Sequence, residues 1–226
     1  MTSVGEIIRH LESIANPSAA EGMARYGIIS AKVYGIRIPV LRAMAKGVDC
    51  NHKLALELWR HNSRETRILA GMIDEPQKVS EGEMDNWARD FDSWEVCDQV
   101  IMNDFEKTRF AWEKAVAWSG SEKEYVKRAG FVLMARLAVS DKVAPDEAFE
   151  PFFPIMVQES GDNRDIVQKA INWALRQIGK RNMNLHARAL ATAREIGVEG
   201  SPGAKWIASD ALRELYNEKT IARIRK

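Results

Sequence analysis

Two cysteines, Cys50 and Cys97, stand in 226 residues. That is too few for a disulfide framework or a cysteine zinc site, and a reducing, cytoplasmic setting is expected. No apolar run approaches the roughly 18 residues that a membrane span requires. Met1 to His10 has neither a basic n-region nor an apolar h-region, so no secretory signal is expected. A Gly-rich phosphate loop, Gly-x-Ser-x-Gly and Cys-x-x-Cys are all missing. His10, His52, His61 and His186 are scattered at spacings that suit no metal. These absences argue against cofactor-dependent chemistry and against covalent serine or cysteine chemistry. No metal and no cofactor are expected. No Asn-Gly or Asp-Gly turn lies between alternating apolar runs, so β-hairpins are not expected either.

The residues that are present favour helices. The chain is 46% hydrophobic, ample for a core, and 29% charged, ordinary for a water-facing surface. Val4, Ile7, Ile8, Leu11 and Ile14 recur at three to four residues and give a first amphipathic helix. Asn16-Pro17-Ser18 is read as its stop. A short helix ends at Tyr26-Gly27, with Gly27 as the residue beyond its end. Pro39 opens the next, through about Lys46. Further helices are predicted near 51–61, 63–73, 80–89, 93–105, 108–118, 121–139, 146–159, 164–179, 184–196 and 202–216, with a short terminal one. With no low-complexity linker, 1–226 reads as a single all-α domain.

Four segments repeat weakly. Glu65–Leu69, Val96–Val100, Val126–Gly130 and Val167–Ile171 each sit early in a helix after a polar turn. Arg67, Asp98, Arg128 and Lys169 occupy matched places, 31, 30 and 41 residues apart. Helix pairs at this period suggest an α-solenoid of HEAT-like antiparallel pairs with a concave groove. Charge is segmented along the chain. Residues 1–78 hold 11 basic and 8 acidic side chains, 79–160 hold 9 and 17, and 161–226 hold 13 and 7. A basic last third after an acidic middle fits either a polyanion-binding face or two halves that attract each other.

The stretch Asp92-Ser93-Trp94-Glu95-Val96-Cys97-Asp98 reads as a capped helix start. Asp92 or Ser93 is the cap, and Asp92 with Glu95 fits a capping box. Trp94 and Asp98 follow one turn apart. Trp94, Asp98, Met102 and Phe105 fall within about 80° of arc on a helical wheel. A carboxylate so placed is costly unless paired or functional. It is either a rung pairing with an Arg of the next repeat or a working group. Arg128 lies in a helix apolar almost all round and needs an anion, either Asp98 or a phosphate. Trp173, Lys169 and Arg176 share one side of helix 164–179. That shoulder is either a core edge with solvated charges or a surface for nucleic acid. Trp59, Trp87, Trp112, Trp118 and Trp206 are read as core, and Cys97 as a small core residue.

Several short motifs together resemble the AlkD-like DNA glycosylases, the DNA alkylation repair family built from HEAT-like repeats. They are Met23-Ala24-Arg25-Tyr26, Glu57-Leu58-Trp59, Ser93-Trp94 to Asp98, Lys127-Arg128-Ala129 and Gln168 to Arg176, in the family's order. The resemblance implies a catalytic carboxylate at Asp98 with Trp94 as its aromatic wall. It implies a phosphate-contacting Arg128, a groove tryptophan at Trp173 and an N-terminal tyrosine at Tyr26. Lys169 and Arg176 would add to the DNA-binding face. The implied reaction is excision of cationic N3- and N7-alkylated purines from double-stranded DNA, without metal, cofactor or full base flipping, by a monomer. Members of the family can carry a second Trp directly before the one matching Trp94; here that position is Ser93. Other members bind unusual DNA structures with little or no glycosylase activity, so a non-catalytic DNA-binding module is the alternative. A scaffold for a protein partner is a third class and would need no Asp/Arg/Trp groove.

Overall fold

The computed structural model describes residues 3–224. The described chain is all α, with two short 3₁₀ turns and no strand among the described residues. It divides between Phe110 and Ala111 into two compact units.

The first unit holds α1 (Val4–Ser13), α2 (Pro17–Ala24), α3 (Ile38–Lys46), α4 (His52–Arg60), α5 (Arg64–Ile73), α6 (Glu81–Asp90) and α7 (Trp94–Asn103). Caps set many of these starts. Ser3, Asn16, Asn51, Ser63, Ser80 and Ser93 each accept a hydrogen bond from a free amide of the first turn. Asn16 therefore begins a helix, with Pro17 in its first turn; the Asn-Pro-Ser stretch read as a stop is a start. Ser63 and Thr66 form a full capping box. Ser80 accepts from the Glu83 amide, but the Glu83 side chain turns toward His52. Pairing follows the short connections: α4 packs on α5, α5 on α7, α3 on α5 and α1 on α4. The α4 and α6 layer is joined by Trp59 and Trp87, stacked 4.0 Å apart and parallel to within 2°.

The second unit holds α8 (Ala111–Ser119), α9 (Glu124–Ser140), α10 (Phe152–Glu159), α11 (Asp165–Ile178), α12 (Met183–Glu199), α13 (Pro202–Leu215) and α14 (Glu218–Ile224). It has two layers. α9, α11 and α13 pack in a row, and α8, α10 and α12 form the other layer against them. Backbones come close at Gly130, where an added Cβ would lie 2.5 Å from the Ser119 amide nitrogen; only glycine lets α8 and α9 meet there. The helix predicted over 146–159 is two pieces, a 3₁₀ turn at Asp146–Ala148 and then α10. Pro151, which has no N–H to donate, sits at the junction. The helix predicted to reach 105 stops at Asn103, because Asp104 leaves helical geometry at φ −130°, ψ −72°.

Hydrogen bonds make the repeat visible inside each unit. In the first they step 31 residues: Tyr34 to Glu65, Trp59 to Asp90 and Arg64 to Glu95. In the second they step 38: Arg128 to Ile166, Asn172 to Asp210 and Arg188 to Glu150. Residues one repeat apart thus reach each other through side chains or backbone, as stacked repeats require. Among the tryptophans read as core, Trp59, Trp87 and Trp118 are buried, and Trp112 is half-buried against Phe149 and Phe152. Trp206 is not core. It is 42% exposed, because α13 buries Ala204, Ile207, Ala208, Ala211 and Leu215, and residue 206 lies off that face.

Candidate functional site

The start of α7 is fixed from behind by buried charge. Arg64 is 1% exposed. Its Nε donates to Glu95 at 2.7 Å, and its Nη1 donates to Glu65 at 2.7 Å and to the Ile36 carbonyl at 2.9 Å. Glu65 in turn accepts the amides of Tyr34 and Ile36. Arg67 pairs with Asp92 at 3.0 Å, donates to the Asp90 carbonyl, and lies over the Trp59 ring. Ser30 donates to the other oxygen of Asp92 at 2.8 Å. Asp92 and Glu95 are therefore occupied with α5 and the loop before α3. The capping box expected of them does not form. Ser93 is the cap, accepting from the Val96 amide.

This framework presents Trp94 and Asp98. Trp94 is half-buried, and its indole N–H donates to the Tyr26 carbonyl at 2.9 Å. The chain turns there through Gly27 at φ +73°, a conformation that favours glycine, and a Cβ on Gly27 would sit 4.0 Å from the indole edge. The Tyr26 side chain is 78% exposed. Asp98, one turn beyond Trp94, is 8% exposed, and Cys97 beside it is fully buried. Tyr26, Trp94 and Asp98 thus belong to one local arrangement: a carboxylate on a rigid helix, an indole locked by its N–H, and an exposed phenol. Such a group can stabilise positive charge that develops beside it.

The other candidates lie in the second unit. Arg128 is 6% exposed on α9, and its Nη1 donates 2.6 Å to the Ile166 carbonyl at the head of α11. Trp173 is half-buried on α11. Lys169 is exposed and pairs with Asp165 at 2.6 Å. Arg176 pairs with Glu214, which also holds Lys180 at 2.6 Å. Burial pushes the Glu214 carboxyl up, but hydrogen bonds from Lys180 and Arg176 bring it below the usual carboxylate range. Lys127, next to Arg128, is buried and bridges Glu159 at 2.7 Å and Asp162 at 3.2 Å. Much of the charge on this side of α11 is thus already matched within the unit.

Sequence reasoning missed two groups. One is the Arg64–Glu65–Glu95 lattice; its signal was a charge pair at the 31-residue step, visible only once the repeat length is known. The other is His52, Asp74 and Glu83, which converge with Asp104 behind α7. One ligand atom each from His52, Asp74 and Glu83 lie within 4.8 Å of one another. They come from the start of α4, the residue after α5 and the first turn of α6, so no local spacing could report them.

The sequence model of a family described as "DNA alkylation repair enzyme" matches residues 7–215. The chain belongs to that family. A solved structure matches the fold with a TM-score of 0.74 and 20% identity, covering 93% of this chain and 94% of the other. That protein is described as one of "a new family of proteins related to the HEAT-like repeat DNA glycosylases with affinity for branched DNA structures". No curated protein matches the chain. For a member of the DNA alkylation repair family, the all-α architecture of stacked helix pairs agrees with the HEAT-like fold expected from the 31-residue register. No helix among the described residues is long and apolar enough to cross a membrane.

Proposed function

We propose that the protein is a DNA N-glycosylase that removes cationic N3- and N7-alkylated purines from double-stranded DNA. It acts as a cytoplasmic monomer, a single functional domain, without metal or cofactor in the reaction. The observation that carries this reading is the Trp94–Asp98 pair on α7, held by Arg64 and Arg67 through Glu95 and Asp92. An alkylated purine carries positive charge and is already a good leaving group. As the N-glycosidic bond breaks, its electron pair goes to the base, which departs neutral, and positive charge grows on the sugar. Asp98 stabilises that charge, and water adds at C1′ to leave an abasic site and release one proton. The Trp94 indole favours a cation against its face. A neutral base gains neither effect. Arg128, Lys169 and Arg176 hold phosphates, and Tyr26 and Trp173 pack on the DNA.

The test is release of free 7-methylguanine and 3-methyladenine from alkylated DNA. Wild type should release both. Asp98→Asn should bind the same DNA and lose about 100-fold or more in rate, the scale for removing one electrostatic stabiliser. Full activity in Asp98→Asn would remove Asp98 from the mechanism. A second reading is favoured by the fold neighbour's affinity for branched DNA: a non-catalytic module for damaged or branched DNA. It predicts salt-sensitive binding with no base released by wild type. A protein scaffold predicts neither.

A further inference from the structure

Behind α7, at the end away from Trp94, four ionisable side chains meet without enough partners. His52 opens α4, Asp74 follows the last residue of α5, Glu83 lies in the first turn of α6 and Asp104 follows α7. Asp74 and Asp104 are 5% and 0% exposed. One oxygen of Asp74, one of Glu83 and both of Asp104 are buried with no hydrogen-bond partner. Buried polar atoms are otherwise almost always satisfied, so four unsatisfied oxygens in one cluster call for a ligand. Lys107 pulls the Asp104 carboxyl down by its charge but makes no hydrogen bond to it; its ammonium donates to the Asn103 carbonyl.

The histidine is already oriented. Its Nδ1 lies 2.7 Å from Asp74 Oδ1, and its own amide donates to Glu75. With Nδ1–H given to Asp74, the Nε2 lone pair of the neutral ring faces Glu83 Oε2 at 3.7 Å. That is too long for a hydrogen bond and close to the roughly 3.4 Å between two ligands on one tetrahedral ion with bonds near 2.1 Å. A carboxylate on the second nitrogen is the usual way a metal-binding imidazole is held. His52 and Glu83 are partly exposed, with side chains at 22% and 10%, so a route in from solvent exists.

We propose that His52, through Nε2, and Glu83 bind a divalent cation, with Asp74 holding the imidazole and Asp104 supporting the site from the end of α7. The nitrogen among oxygens favours Zn²⁺ or Mn²⁺ over Mg²⁺ and Ca²⁺. The cation ties the ends of α4, α5, α6 and α7 together and stands apart from the reaction proposed for Asp98. Crowding agrees with this. Burial, then the charges of Asp74 and Glu83, push the Asp104 carboxyl up to about 8, and burial followed by Asp74 pushes Glu83 up to about 7. A cation at the centre would reverse that repulsion.

The experiment uses the full chain, stripped with chelator and titrated calorimetrically with Zn²⁺, Mn²⁺ and Mg²⁺, with melting followed in parallel. One equivalent of Zn²⁺ should bind and raise the melting temperature, with Mg²⁺ far weaker. His52→Gln and Glu83→Gln should weaken Zn²⁺ at least 100-fold, and Asp104→Asn about 10-fold, the scale of an outer-shell loss. Asp104→Asn nearly matches the protonated acid in shape and charge and should melt close to wild type in chelator; this holds the test open if another variant fails to fold. Cys50→Ser removes the exposed thiol nearby and should leave binding intact. Absence of saturable Zn²⁺ and Mn²⁺ binding overturns the proposal. So does binding unchanged in both His52→Gln and Glu83→Gln, or binding lost in Cys50→Ser.

Discussion

At the scale of single residues, Trp94 does two things through two different parts. Its N–H donates to the Tyr26 carbonyl, and its ring stands one turn from Asp98. Trp94→Phe keeps an aromatic ring but leaves that carbonyl without its donor, which should cost about 1 kcal/mol in urea unfolding. Tyr26 is the converse. Its backbone takes part in the bond, while its side chain is 78% exposed. Tyr26→Ala should therefore unfold within about 0.5 kcal/mol of wild type, as surface changes do. Its affinity for alkylated duplex should fall if the phenol packs on DNA, measured by fluorescence anisotropy. The Trp94/Asp98 spacing was legible because it is local: four residues along one helix put both on one face. The identity of the cap was less so. Asp92, Ser93 and Glu95 all suit a helix start, and what chose Ser93 was the presence of Arg67 and Arg64, which claim the two acids from residues far back in the chain. Trp206 was misread for a related reason. Hydrophobic type alone does not say which face of α13 it occupies.

At the scale of elements, helices were legible almost throughout, since apolar periodicity and capping residues are local signals. Proline was read with less success. Pro17 begins α2 instead of ending α1, and Pro151 divides a helix predicted as continuous. Which helices touch could be read only through the register, and the register hides its strongest bond. Arg64 joins α5 to α7 through Glu95, and a buried pair of this kind is costly to break from one side. Arg64→Met fills similar space but leaves Glu65 and Glu95 without their cation. It should lower unfolding free energy by about 3–5 kcal/mol. Adding Glu95→Gln should restore part of that loss, so the double variant unfolds at higher urea than Arg64→Met alone. Equal midpoints for the two would mean that Glu95 reaches water and needs no partner. The same variants report on function. If the lattice positions Asp98, Arg64→Met should lose base release more than DNA binding under conditions where it stays folded.

At the scale of the whole molecule, the segmented charge read from the sequence is matched largely inside its own segments. Lys127 reaches Glu159 within the acidic middle and Asp162 just beyond it, Arg176 and Lys180 share Glu214 within the basic last third, and Arg188 with Glu150 joins the two segments. Net charge was never going to reveal this, because it counts groups without saying which are matched. Internal matching has a consequence for acid stability. Hydrogen bonds from the Arg164 guanidinium hold Asp162 well below the usual carboxylate range against the opposing effect of burial, and the Arg164 amide and Lys127 add to that hold. A carboxyl depressed in the folded state stabilises the fold at every pH above its unfolded value of 3.8, and that contribution disappears as pH falls through the folded value. Discounted for the screening by water that still reaches Asp162, the contribution is about 2 kcal/mol at neutral pH. Asp162→Asn should then unfold about that much more easily than wild type at pH 7. The gap should narrow steadily below about pH 4, because wild type loses on acidification what the variant never had. Urea midpoints for both proteins from pH 7 down to pH 2.5 give the curve directly. A gap that stayed constant over that range would show that the side chain matters at 162 through its shape and hydrogen bonds alone, with no part played by its charge.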